Sequence, residues 1–287
     1  MRHWVLVPPA KWARVLPTDP QAAQRFRRAV VRRVVEGIEG RAKAVLGHGR
    51  GRAGALAVLH TVGADLRPRA HVHLIATDGV FVPASRGVAG FVRLDRDFGD
   101  AELRELARAV GAAAREAMPE PPAEAPSRAG VRVKGKGPAP ARTGRAIEAR
   151  GAEVFVGEPV EAHDRRGAES LAAYVTRPPL VEGAVKAVGE GCVQVRLREP
   201  ARDRTVAVRM PKAAFDERVR AMVQHAPTRP VSLHGALAPG SGVKWRGEGV
   251  QLKLVESERA VGTRREQAAE RCTCGGRLVV VGAEPAS

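Results

Sequence analysis

Between Gly54 and Val82 the chain reads as three short strands in quick succession. A mostly apolar run, A-L-A-V-L-H-T, occupies 55–61. A loop through Gly63 and Pro68 leads to H-V-H-L-I-A at 71–76, and Asp78-Gly79, a strong hairpin-turn signal, precedes Val80-Phe81-Val82. Successive strand residues face opposite ways, so His71 and His73 project from one face while Val72 and Leu74 turn into the core. If the loop at 62–69 joins two antiparallel strands, symmetrical pairing also sets His60 opposite His71. A slip of one residue would turn His60 away.

The flanking sequence adds helices and further short strands. Trp4 to Val7 reads as a strand stopped by Pro8-Pro9. Asp19-Pro20 marks a helix start, followed by Ala23, Phe26, Val30, Val34 and Ile38 as one apolar stripe. Arg25, Arg28, Arg32 and Arg33 lie largely off it, as a solvated face or a track for a DNA backbone. Residues 100–118 have helical spacing. Residues 119–144 hold prolines, glycines and charges without periodicity, which reads as a linker or mobile loop. A strand at 152–156 and a helix at 168–176, which Pro178 forbids from continuing, come next. Val193, Val195 and Leu197 alternate with polar residues, and 205–210 completes a hairpin before a helix at 215–223. The division expected is 1–118, a linker at 119–150, 151–180 completing the core, and a basic C-terminal region at 181–287.

The net charge is +17 and the pI near 11.1. Such an excess favours a polyanionic partner, nucleic acid first and an anionic membrane surface second. Aromatics are only 3% of residues, which argues against a surface that holds single strands mainly by stacking. No apolar run reaches the roughly 18 residues that span a bilayer. The opening M-R-H-W-V-L-V-P-P meets proline too early for a signal peptide, so a cytoplasmic, nucleoid-associated protein is expected. Cys192, Cys272 and Cys274 make no disulfide framework, and Cys272-Thr273-Cys274 lacks the second pair that structural zinc needs.

Two imidazoles about 7 Å apart along a strand can converge on one divalent ion, or be merely polar residues on a half-exposed face. Asp65 competes with His60 as a third ligand. Tyr174, the one tyrosine among 287 residues, is either a packed aromatic or a nucleophile. Its phenol, with an ordinary pKa of about 10, needs help to attack at neutral pH. A metal-polarised phosphate supplies that help. Arg177 beside it could contact the same phosphate or cap the helix.

At these residues the chain resembles a known family. The segment G-A-L-A-V-L-H-T-V-G-A-D-L-R-P-R-A-H-V-H-L-I-A-T-D-G-V-F at 54–81 is similar to the histidine-hydrophobe-histidine (HUH) block of rolling-circle insertion-sequence transposases of the ninety-one type. L-A-A-Y-V-T-R-P-P-L at 171–180 resembles that family's tyrosine helix. S-L-H-G-A-L-A-P-G-S-G-V-K-W-R at 232–246 resembles its C-terminal H-G-x-L-A-P block, and R-H-W-V-L-V-P-P its first core strand.

The resemblance implies an α+β fold, an antiparallel sheet flanked by helices with a smaller C-terminal hairpin and helix region. It implies metal ligands at His71 and His73, Mg²⁺ or Mn²⁺ as the metal, and Tyr174 as the nucleophile. The expected reaction nicks single-stranded DNA at an element end through a 5′-phosphotyrosine and transfers the strand, with a homo-oligomer left open. Three departures stand out. Ser170 occupies the place of a second tyrosine, a cysteine-rich zinc module is missing from the start, and the family's C-P-x-C-G-G reads C-T-C-G-G. A DNA-binding remnant without catalysis and a hydrolase using a metal-activated water are the rival expectations.

Overall fold

The computed structural model of the chain describes residues 1–63, 65–82, 90–94, 97–122, 130–135, 143–189, 191–197, 204–224, 226–227, 230–241 and 254–255. With elements numbered in chain order, six strands form the main sheet. They are β1 (Arg2–Val7), β2 (Gly54–Val62), β3 (Pro68–Ala76), β7 (Gly144–Ala149), β8 (Ala152–Pro159) and β12 (Val231–Gly235). Their spatial order is β12-β2-β3-β1-β8-β7, and every neighbouring pair is antiparallel.

One face of this sheet is closed by helices α1 (Ala10–Val15), α2 (Pro20–Leu46) and α3 (Asp100–Ala117). The start of α2 is set by Asp19, whose Oδ1 accepts from the N–H groups of Gln21 and Ala22, both at 2.9 Å. Its end is set by Gly47, which takes a left-handed φ of 71°. Phe26, Val30, Val34 and Ile38 of α2 pack with Leu103, Ala107 and Val110 of α3 onto Trp4, Leu6, Val72 and Leu74. Each such large side chain stabilises by about 1.5–3 kcal/mol on full burial. Arg25, Arg28, Arg32 and Arg33 sit on the exposed side of α2, where Arg32 and Arg33 approach Glu36 at 3.9 and 3.5 Å.

A second sheet, in order β6-β11-β10-β9, contains β6 (Val131–Lys134), β9 (Val185–Ala187), β10 (Cys192–Arg196) and β11 (Thr205–Pro211). Helix α5 (Lys212–Gln224) follows β11. Val193, Val195, Leu197, Val208 and Met210 form its small core, joined by Leu66 from the β2–β3 loop. A third sheet pairs β4 (Gly79–Val82), β5 (Gly90–Arg93) and β13 (Leu254–Val255). Helix α4 (Arg165–Thr176) lies on the open side of the main sheet. No described helix is long and apolar enough to cross a membrane.

Three sequence expectations need correction. Asp78-Gly79 does not close a hairpin, because β4 leaves the main sheet and pairs with β5. Gly79 is required there by close approach: a Cβ would lie 2.1 Å from the Val92 carbonyl oxygen. The Asp78 carboxylate instead accepts from Arg2 Nε at 2.8 Å. The Pro/Gly-rich stretch expected to be a linker carries β6, which pairs with β11, and β7, which pairs with β8. The β7–β8 turn is tight, with positive φ at both Arg150 and Gly151 (50° and 79°), as a two-residue hairpin demands. Finally, the H-G-x-L-A-P block is no part of a separate C-terminal region, since β12 is the edge strand of the main sheet beside β2. Cys272 and Cys274 lie outside the described residues.

Candidate metal and tyrosine site

The β2–β3 register sets His60 directly against His71, and Val58 against His73. Alternation therefore gathers His60, His71 and His73 on the face of the main sheet away from the core. One ligating nitrogen of each ring lies within 4.8 Å of those of the other two. Ring centroids are 4.5 Å apart for His60 and His73, 5.0 Å for His71 and His73, and 5.1 Å for His60 and His71. Asp65 is not in this group. Its Oδ1 accepts from the Arg67 N–H at 3.3 Å, and its carboxylate faces Arg67 Nε at 3.5 Å.

Two backbone carbonyls fix tautomers here, because a carbonyl can only accept. His71 Nδ1–H donates to the Arg69 carbonyl at 2.9 Å, which leaves Nε2 with the lone pair of the neutral ring. His60 Nε2–H donates to the Val175 carbonyl at 2.8 Å, leaving Nδ1. Burial holds the imidazoles neutral. It depresses His71 to about 3, helped by the neighbouring His60. Burial lowers His73 as well, reinforced by His71, His60, His3 and Arg177. His60 is lowered by burial and by Arg177, against the opposing pull of the Val175 carbonyl. Neutral imidazole is the form that ligates metal.

A fourth histidine, absent from the sequence expectations, belongs to the cluster. His3 on β1 meets His73 edge to edge, with centroids 5.1 Å apart and planes at 6°, and its Nε2 is 2.9 Å from His73 Nδ1. The alternation R-H-W-V-L-V, with Trp4 and Leu6 in the core, does turn His3 outward. Nothing local to that strand, however, reveals that it lies beside β3.

The tyrosine helix is placed from both ends. Asp164 Oδ1 accepts from the Gly167 N–H at 2.8 Å, capping the start. At the other end Val175 is the buried side chain of α4, and its carbonyl is the one that holds His60. Tyr174 consequently stands edge-on to His3 and His73, at 5.5 and 5.7 Å between centroids. The Arg177 guanidinium lies 4.0 Å above the tyrosine ring, and Ser170 is exposed. The fold thus brings His71, His73, His60 and Tyr174 together from three elements.

A family model described as "Putative transposase" matches residues 54–244, about two thirds of the 287-residue chain. The chain belongs to this transposase family. As a transposase it is a DNA-binding, DNA-processing protein, in keeping with its charge of +17. The matched segment contains His60, His71, His73 and Tyr174, whereas His3 precedes it. No curated protein and no solved structure matches the chain.

Proposed function

We propose that this transposase cuts and transfers single-stranded DNA through Tyr174, assisted by a divalent cation held between His71, His73 and His60. The observation that carries the reading is the contact between Tyr174 and His73, which sets the lone phenol against three converging neutral imidazoles. In the reaction, Tyr174 Oη attacks the scissile phosphorus and gives up its proton. The bond from phosphorus to the 3′ oxygen breaks, and that oxygen takes up a proton to leave a free 3′-hydroxyl. The downstream fragment stays esterified to Tyr174 through its 5′-phosphate. The ester conserves the phosphodiester, so attack by another 3′-hydroxyl rejoins DNA without a nucleotide cofactor.

A cation bound there would polarise the scissile phosphate and offset its developing charge. The three imidazoles present a donor set without a carboxylate. Nitrogen ligands favour Mn²⁺ over Mg²⁺, which prefers oxygen. Arg177, over the tyrosine ring, is positioned to contact a phosphate joined to Tyr174. Ser170 offers no second phenol in the preceding turn, so one subunit holds one strand at a time.

Incubation with an end-labelled single-stranded oligonucleotide and Mn²⁺ should yield a covalent protein–DNA adduct that chelator prevents. Tyr174→Phe should form none while melting at the wild-type temperature. An adduct undiminished in that variant would refute the mechanism. Salt-sensitive DNA binding with no adduct in the wild type would instead leave the non-catalytic DNA-binding reading.

A further inference from the structure

We infer that His3 is a positioning residue for the metal site, fixing the tautomer and ring orientation of His73 while bracing Tyr174. The inference rests on the reading of His73 as a ligand and goes beyond it. His3 Nε2 and His73 Nδ1 are 2.9 Å apart, so one nitrogen carries a proton and the other accepts it. If His73 ligates, its Nε2 must keep its lone pair, and the proton sits on Nδ1 and is donated to His3. His73 is 6% exposed, so an unmatched Nδ1–H in that position would be costly. The same arrangement appears at His71, where the Arg69 carbonyl takes the Nδ1 proton. His3 does for His73 with a side chain what the backbone does for His71.

The contact is also well aligned: the two rings are nearly parallel and meet edge to edge along the hydrogen bond. With planes at 6°, rotating either ring would take its nitrogen out of line with the other. His3 also meets Phe155 edge-on at 6.1 Å and Tyr174 at 5.5 Å. One side chain thereby touches both a ligand and the tyrosine. Partners of this kind typically contribute about 10- to 100-fold to metal affinity.

The test separates packing from hydrogen bonding. His3→Phe keeps an aromatic ring against Phe155 and Tyr174 but removes the acceptor, whereas His3→Gln restores a polar partner. Mn²⁺ binding to the DNA-free full-length chain, followed by electron paramagnetic resonance, should weaken about 10- to 100-fold in His3→Phe and recover largely in His3→Gln. Equal Mn²⁺ affinity in wild type and His3→Phe would overturn the role of His3 alone. A wild type that binds no Mn²⁺ would overturn the metal-site reading, and the His3 inference with it. A second measurement needs no variant: nitrogen-15 resonances of the metal-free wild type should show His73 protonated on Nδ1. Protonation on Nε2 would contradict the inference.

Discussion

Strand β3 presents two unlike surfaces one residue apart. Its even positions, Ala70, Val72, Leu74 and Ala76, are all but fully buried beneath the helices. Its odd positions include His71 and His73, which face α4 and the neighbouring imidazoles. The core face needs only apolar volume, and its partners come from all along the chain. The histidine face needs particular atoms at particular separations. Because the strand period is two, the same register satisfies both, and the packing on one side holds the geometry on the other.

This contrast can be broken deliberately. The largest effect on stability should come from the core side: Leu74→Ala should cost about 2–5 kcal/mol in denaturant unfolding. His73→Ala, one residue away, should lose Mn²⁺ binding instead, and a His73→Ala protein destabilised as much as Leu74→Ala would erase the distinction. Next in size, Mn²⁺ at about one hundred times its Kd should stabilise the wild type by roughly 2.7 kcal/mol. Calorimetry should find this gain preserved in Leu74→Ala, from a lower base, and absent from His73→Ala.

Acidification without metal should act through the histidine face as well. Burial holds the folded pKa of His71 near 3, whereas an unfolded histidine titrates near 6.5. Between those values the unfolded chain binds the extra proton, so stability should be full above about pH 6.5 and decline as pH falls towards 3. Replacing His71 by Asn should flatten that decline. The least change should follow Arg32→Ala on the solvated side of α2, where loss of the exposed Glu36 pairing costs about 0.2–1 kcal/mol.

Much of the site was legible in the sequence because its parts are local. The pairing of His60 with His71 follows from a short loop centred between them, and Pro178 marks the end of the tyrosine helix, although Asp164 caps its start at Arg165, three residues before the expected Ala168. What was hidden depended on distant partners. His3 joins the cluster through a strand 70 residues away from His73 in sequence, and strand order is a tertiary property. Asp78-Gly79 correctly signalled a change of direction, but the chain turned towards β5 rather than back along β3. The segment G-R-A-I-E-A of β7 offers little apolar alternation. It becomes a strand because β8 supplies a partner and α3 covers Ile147 and Ala149. The short V-R-V-K of β6 likewise takes its identity from β11.

Helix α4 touches the sheet unevenly. Its one buried side chain, Val175, and the carbonyl that receives the His60 proton belong to the same residue, immediately after Tyr174. Residues 165–170, by contrast, are largely in solvent. Mechanically this is a lever with its pivot beside the phenol: a rocking of the outer end, however wide, displaces Tyr174 least of all.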